Sequence, residues 1–186
     1  MKHPDSLYVI TGGPGSGKTT LIDGLEALGY ARSLEAGRGI IQHQAAIDGP
    51  ALPWRDPALF AELMLSWEMR SYHAAQAHAG PVLFDRGVPD VIGYLTLCGL
   101  PVPPHCHEAA TRHRYNRVVF IAPPWPEIFR QDAERKQDPE LAQRTYASMV
   151  QTYGRLGYEL VELPRAPVHE RLRFVIERIG PPSGHA

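Results

Sequence analysis

The run Gly12, Gly13, Pro14, Gly15, Ser16, Gly17, Lys18, Thr19 and Thr20 is the stretch of the chain best suited to chemistry. From Gly12 to Thr19 it fits G-x-x-x-x-G-K-[ST], the Walker A phosphate loop. Glycines let successive backbone N–H groups turn inward and approach phosphate oxygens closely. The positive end of a following helix adds to that field. Lys18 supplies a mobile cation for the β- and γ-phosphates of ATP, and Thr19 a hydroxyl for Mg²⁺. A dinucleotide fingerprint fits less well. The glycines run G-x-G-x-G rather than G-x-G-x-x-G, and Lys18 would have no role.

Other charged residues follow apolar runs. Val82, Leu83 and Phe84 lead into Asp85, then Arg86 and Gly87. An acid at that point suits a Walker B carboxylate that holds Mg²⁺ directly or through water, or a plain helix N-cap. Arg86 would point toward an acceptor or its phosphate, or make a structural salt bridge. Asp90 reads as a second polar group of this site or, more plainly, as the N-cap of a helix through Ile92, Leu95 and Leu97. Glu35, at the end of the second apolar run, could take a proton from an attacking hydroxyl or help place the metal, with Arg38 three residues on. A solvated loop pair is the plainer reading of those two.

Arg130, Asp132, Glu134, Arg135 and Lys136 follow the Pro-Pro-Trp-Pro run at 123–126. As i,i+4 pairs they make a solvated, salt-bridged face. As a lid over about 123–138, Arg130 and Arg135 would close on the triphosphate and neutralise charge during transfer. In an unbroken helix the two arginines point about 140° apart, so a lid must bend or use them on different oxygens. Cys98, His105, Cys106 and His107 fit no usual zinc spacing, and no transition-metal site is expected from them.

The elements that must position these groups are short. Apolar runs at 7–10, 30–35, 81–85, 117–122 and 159–163 predict five strands, most without clean alternation, as in strands covered on both faces. With helical patterns between them they predict an α/β fold, a parallel, doubly wound sheet. In such sheets ligands sit beyond the carboxyl ends of the strands. Asp56-Pro57 predicts a helix start, with Leu59, Leu63 and Trp67 as its buried stripe and Phe60 and Met64 beside it. Helices are also expected over 139–153, through Leu141, Tyr146, Val150 and Tyr153, and over 168–179, through Leu172, Val175, Ile176 and Ile179. Long connections are expected at 37–55 and 99–107, with a frayed tail at 181–186.

The 186 residues suggest one domain, 1–186, with a core of useful size. A formal net charge of −1 offers no field for nucleic acid. No apolar run approaches a membrane span, and two cysteines make no disulfide scaffold, so a cytoplasmic protein with no membrane partner is expected.

The sequence resembles the small predicted ATPases of the AAA-domain type. These are related to nicotinamide-riboside kinase and, more distantly, to thymidylate and deoxynucleoside kinases. The matching segments are the phosphate loop, 35–38, 57–62, Phe84-Asp85-Arg86-Gly87 with Asp90 and Tyr94, 123–129, 132–137 and 157–160. The resemblance implies a P-loop kinase fold using ATP and Mg²⁺, with Glu35 as base or metal helper and Asp85-Arg86 standing at an acid–arginine pair. The expectation is therefore a phosphotransferase. It would move the γ-phosphoryl group to a small, nucleoside-like acceptor bound by Glu35, Arg38, Arg86 and Tyr94. Lys18, Glu35, Asp85, Arg130 and Arg135 would act in catalysis, and Thr19 and Asp85 would hold the metal. The rival expectation is an ATP-hydrolysing switch that signals to a protein partner.

Overall fold

Short apolar runs in this chain become strands because each places alternate side chains into two separate cores. A computed structural model describes residues 4–129 and 138–182. Its strands are β1 (Leu7–Gly12), β2 (Ala31–Arg32), β3 (Val82–Asp85), β4 (Val118–Ala122) and β5 (Glu159–Glu162). They pair in the order β2-β3-β1-β4-β5, and every pairing is parallel. The helices are α1 (Lys18–Ala27), α2 (Ala36–Ala46), α3 (Pro57–Ala75), α4 (Val88–Leu97), α5 (Pro104–Arg112), α6 (Pro126–Phe129), α7 (Pro139–Arg155) and α8 (Val168–Ile179).

The period of two is plain in the packing. Leu7 and Val9 of β1, Val82 and Phe84 of β3, and Val119 and Ile121 of β4 enter one core with residues of α3, α4, α5 and α7. Ile10, Leu83, Phe120 and Ala122 face the other way, onto Leu21, Ile22 and Leu25 of α1 and Val175 and Ile179 of α8. Both faces are covered, which is why the runs read as continuously apolar. β1 lies at the centre, with β3 and β2 on one side and β4 and β5 on the other. Strand order therefore diverges at the carboxyl end of β1, where open α/β sheets form their crevice.

Several boundaries differ from the sequence reading. The second strand is two residues long, and Glu35 lies beyond it as the N-cap of α2. Much of the expected 37–55 connection is thus helical, because Ala36 and Ile40 find a partner in Phe60. The proline-rich connection at 99–107 ends in α5, where Pro104 opens the first turn. Asp56 does cap α3, its side chain accepting from the Leu59 N–H at 2.9 Å. The stripe of α3 is rotated, however. Phe60, Ala61, Leu65 and Glu68 are buried, while Leu59 is exposed. In α7 the buried face is Ala142, Thr145, Met149, Thr152 and Tyr153, and Leu141 and Val150 lie outside it. Small and polar residues take these positions because α7 packs closely against α4 and β1. Among the described residues no helix is long and apolar enough to cross a membrane.

The two-core arrangement gives a direct test. Phe120 is fully buried in the α1–α8 core, whereas Ile47 is 73% exposed. Phe120→Ala should lower the unfolding free energy by about 3–5 kcal/mol in urea melts. Ile47→Ala should stay within about 0.5 kcal/mol of the parent. Equal effects would contradict the packing.

Candidate active site

The turn from β1 into α1 is fixed by backbone constraints that only glycine meets. Gly17 caps α1 in the left-handed region at φ 72°, and a Cβ there would fall 2.6 Å from the Arg171 guanidinium. A Cβ on Gly13 would fall 2.6 Å from the Ala142 carbonyl oxygen of α7. The loop is therefore wedged between two helices. Inside it, the Ser16 hydroxyl donates to the Gly13 carbonyl at 2.8 Å. Lys18 Nζ folds back to donate to the same carbonyl at 2.7 Å and to Ser16 Oγ at 3.3 Å. Lys18 is buried, while Thr19 and Thr20 in the first turn of α1 are exposed.

Six charged groups share this end of the sheet: Lys18, Glu35, Arg38, Asp85, Arg86 and Asp90. Burial first, and the Arg86 charge second, push the Lys18 ammonium down to about 8, against the pull of Asp85, Glu35 and Asp90. It stays largely protonated near neutral pH, and an added phosphate would hold it so. Asp85 ends β3 beside Ile10 of β1. It is buried, its Oδ1 has no hydrogen-bond partner among the described residues, and burial raises its pKa despite Lys18. An orphaned buried carboxylate oxygen facing a lysine is a fitting ligand for a divalent cation. Arg86 follows at φ 74°, uncommon for a non-glycine residue, with its N–H donating to the Ile10 carbonyl. Its guanidinium lies 3.6 Å from Glu35 and 3.3 Å from Asp90. Burial works against the Arg86 charge, but Asp90, Glu35 and Asp85 outweigh it and raise its pKa. Arg38 reaches Glu35 at 3.7 Å. Glu35, Arg38, Asp85, Arg86 and Lys18 thus form one connected electrostatic group.

Tyr94 belongs to the apolar wall beside it. Its ring meets Phe60 edge-on at 5.4 Å, against the cluster that Ala36 and Ile40 of α2 complete. Burial first, and the Cys98 thiol beside its hydroxyl second, raise its pKa. Arg130 and Arg135 lie outside the described residues, as does the 130–137 part of the lid expected over about 123–138; its first part holds the short helix α6.

Of three further residues here, Asp90 takes its polar-group reading rather than the cap, and Arg171 and Glu68 emerge only from the structure. Asp90 is not the N-cap of α4 but its third residue. It accepts from the Gly87 N–H at 3.0 Å, from Tyr153 of α7 at 2.6 Å, from Arg86 and from Thr11 of β1. Arg171 of α8 is buried and donates to the Ser16 and Gly17 carbonyls at 3.2 and 3.3 Å, bracing the phosphate loop from behind. An arginine in register with Val175 and Ile179 on one helical face was the available signal. Glu68 is buried on α3, and its Oε2 has no partner. Burial first, then the negative charges of Asp90 and Asp85, raise its pKa well above the ordinary 4.5, with Arg86 opposing.

That shift has a sign. Above about pH 4.5 the unfolded chain has released the Glu68 proton while the folded protein keeps it, so stability falls as pH rises through this window. Glu68→Gln removes the titration. Its stability relative to the parent should therefore climb with pH from about 4.5 upward, with a slope approaching about 1.4 kcal/mol per pH unit. Urea melts at stepped pH read this directly, and a pH-independent difference would exclude a protonated Glu68.

Comparison with known proteins agrees with this fold. NadR protein in complex with NR superposes with a TM-score of 0.69 at 18% identity, covering 95% of this chain and 51% of that one. NadR in complex with NAD and AMP-PNP gives 0.70 at 17% identity, covering 98% and 52%. The chain therefore spans about half the length of the NadR structures it matches. Deoxyadenosine kinase from M. mycoides with bound dATP gives 0.61 at 12% identity, covering 93% and 98%. A search of curated protein sequences finds no match. The AAA domain family matches residues 7–171, nearly the whole chain. The chain belongs to that family, and its fold is that of the P-loop kinases.

Proposed function

We propose that this protein is an ATP- and Mg²⁺-dependent phosphotransferase acting on a small hydroxyl-bearing acceptor of nucleoside-like size. The observation that carries the reading is the connected group of Lys18, Asp85, Arg86, Glu35 and Arg38 at the mouth of the phosphate loop. Cations and acids there are arranged in sequence from the phosphate side to the acceptor side. NadR and deoxyadenosine kinase, which share the fold, were solved with NR, AMP-PNP and dATP, ligands that suit the same division of labour.

In this reading the loop amides and Lys18 grip the β- and γ-phosphates of ATP. Asp85 and Thr19 would hold Mg²⁺, which supplies neutralising charge between the phosphates. Glu35 accepts the proton of the acceptor hydroxyl as its oxygen bonds to the γ-phosphorus and the bond from γ-phosphorus to the bridging oxygen of ADP breaks. Arg86 and Arg38, each paired with Glu35, orient the acceptor against it. The wall of Phe60 and Tyr94 receives an apolar or aromatic part of the acceptor. Arg130 and Arg135 would complete the charge on closure and exclude water.

The test is a screen of nucleosides and a metabolite pool with γ-labelled ATP and Mg²⁺. A labelled product other than phosphate is expected. Glu35→Gln should slow its formation by about 10²-fold or more while ATP still binds. Asp85→Asn should keep ATP binding but lose the Mg²⁺-dependent turnover. Label appearing only as free phosphate, at a rate raised by a protein and by no metabolite, would favour a nucleotide switch instead.

A further inference from the structure

A second cluster of ligand-bearing side chains lies on the flank of α3 away from the phosphate loop. Glu62 of α3 and His105 and Cys106 of α5 bring one oxygen, one nitrogen and one sulfur atom within 4.8 Å of one another. Glu62 Oε1 is 2.8 Å from His105 Nε2. Glu62 and His105 are exposed, whereas Cys106 is 1% exposed, so the thiol forms the floor of the cluster. We propose that Glu62, His105 and Cys106 form a binding site for a thiophilic divalent cation of the Zn²⁺ class, which ties α5 to α3.

The donor set decides the metal. Hard cations such as Mg²⁺ and Ca²⁺ take oxygen ligands, whereas a thiolate with an imidazole selects Zn²⁺ and its neighbours. Bonds of about 2.3 Å to sulfur and about 2.0–2.2 Å to nitrogen and oxygen place tetrahedral ligand atoms about 3–4 Å apart. The observed cluster needs only a small side-chain closure to reach that. A carboxylate and a thiolate neutralise the dication, and a water completes the fourth position.

The backbone is already set for it. His105 and Cys106 sit in the first turn of α5, entered through Pro103 and Pro104. Without a metal, the Glu62–His105 pair is an exposed contact of little energetic weight. Sequence spacing alone rejects a site here because one ligand comes from a helix about forty residues away. The inference is independent of the phosphotransferase reading, since none of its residues belongs to that site.

The experiment is a Co²⁺ titration of the chelator-treated full chain without nucleotide. We expect saturation at about one Co²⁺ per chain, with a thiolate-to-metal absorption band in the near ultraviolet and visible bands of four-coordinate intensity. Zn²⁺ should displace it stoichiometrically and raise the melting temperature. Cys106→Ser should abolish the ultraviolet band and Cys98→Ser should keep it. Glu62→Gln and His105→Ala change exposed residues and should leave the fold intact while weakening Co²⁺ binding roughly tenfold or more. Binding without the thiolate band, a band that survives Cys106→Ser, or unchanged affinity in both exposed variants would overturn the site.

Discussion

A carboxylate buried at the end of a sheet is tolerated only when donors surround it, and Asp90 organises its neighbourhood through that demand. Its four donors come from three places: Thr11 at the end of β1, Arg86 and the Gly87 N–H in the turn after β3, and Tyr153 on α7. One ionised group thereby sets the strand from which the phosphate loop departs, the turn that carries Asp85, and the helix against which Gly13 packs. It also pairs with Arg86, whose positive φ would be strained without such support. Truncating any one donor leaves charge or polar surface buried without a partner, which is why this hub behaves as a unit.

Around the hub, charge is sorted by position. Lys18 and the loop amides lie toward α1, while Glu35 and Arg38 lie at the start of α2, with Arg86 between. Arg171 reaches in from α8 and ties two loop carbonyls, so that the amide sides of those peptides are free to face the other way. Lys18 meanwhile rests on the Gly13 carbonyl, a contact that a phosphate oxygen could replace. The unsatisfied Asp85 oxygen and the proton held on Glu68 are both consequences of crowding acids into one buried region. An arrangement of this kind is poised for charged ligands rather than optimised for its own stability.

Much of this was legible in the chain, for identifiable reasons. The glycine-rich turn between β1 and α1 is a local motif, and the strands flanking it are apolar on both faces, so spacing and hydropathy suffice to place both. The helix over Ala36–Ala46 is hidden in sequence because it is rich in small and polar residues, and only contact with Phe60 makes Ala36 and Ile40 a buried face. The faces of α3 and α7 were misjudged by one position, because large apolar residues such as Leu59 and Leu141 were taken as inward where Ala61, Glu68 and Ala142 pack instead. Asp90, Arg171 and Glu68 act through partners far away in sequence, and no local pattern records such pairings. The same holds for Glu62 with His105 and Cys106.

The central claim is that the loop from Gly12 to Thr19 binds a nucleotide by its terminal phosphates. Titration calorimetry of the full chain with ATP, ADP and AMP in the presence of Mg²⁺ tests it most directly. The account predicts that ATP and ADP bind well and that AMP, which lacks those phosphates, binds at least roughly a hundredfold more weakly. Equal affinity for all three, or no binding of any, would contradict it.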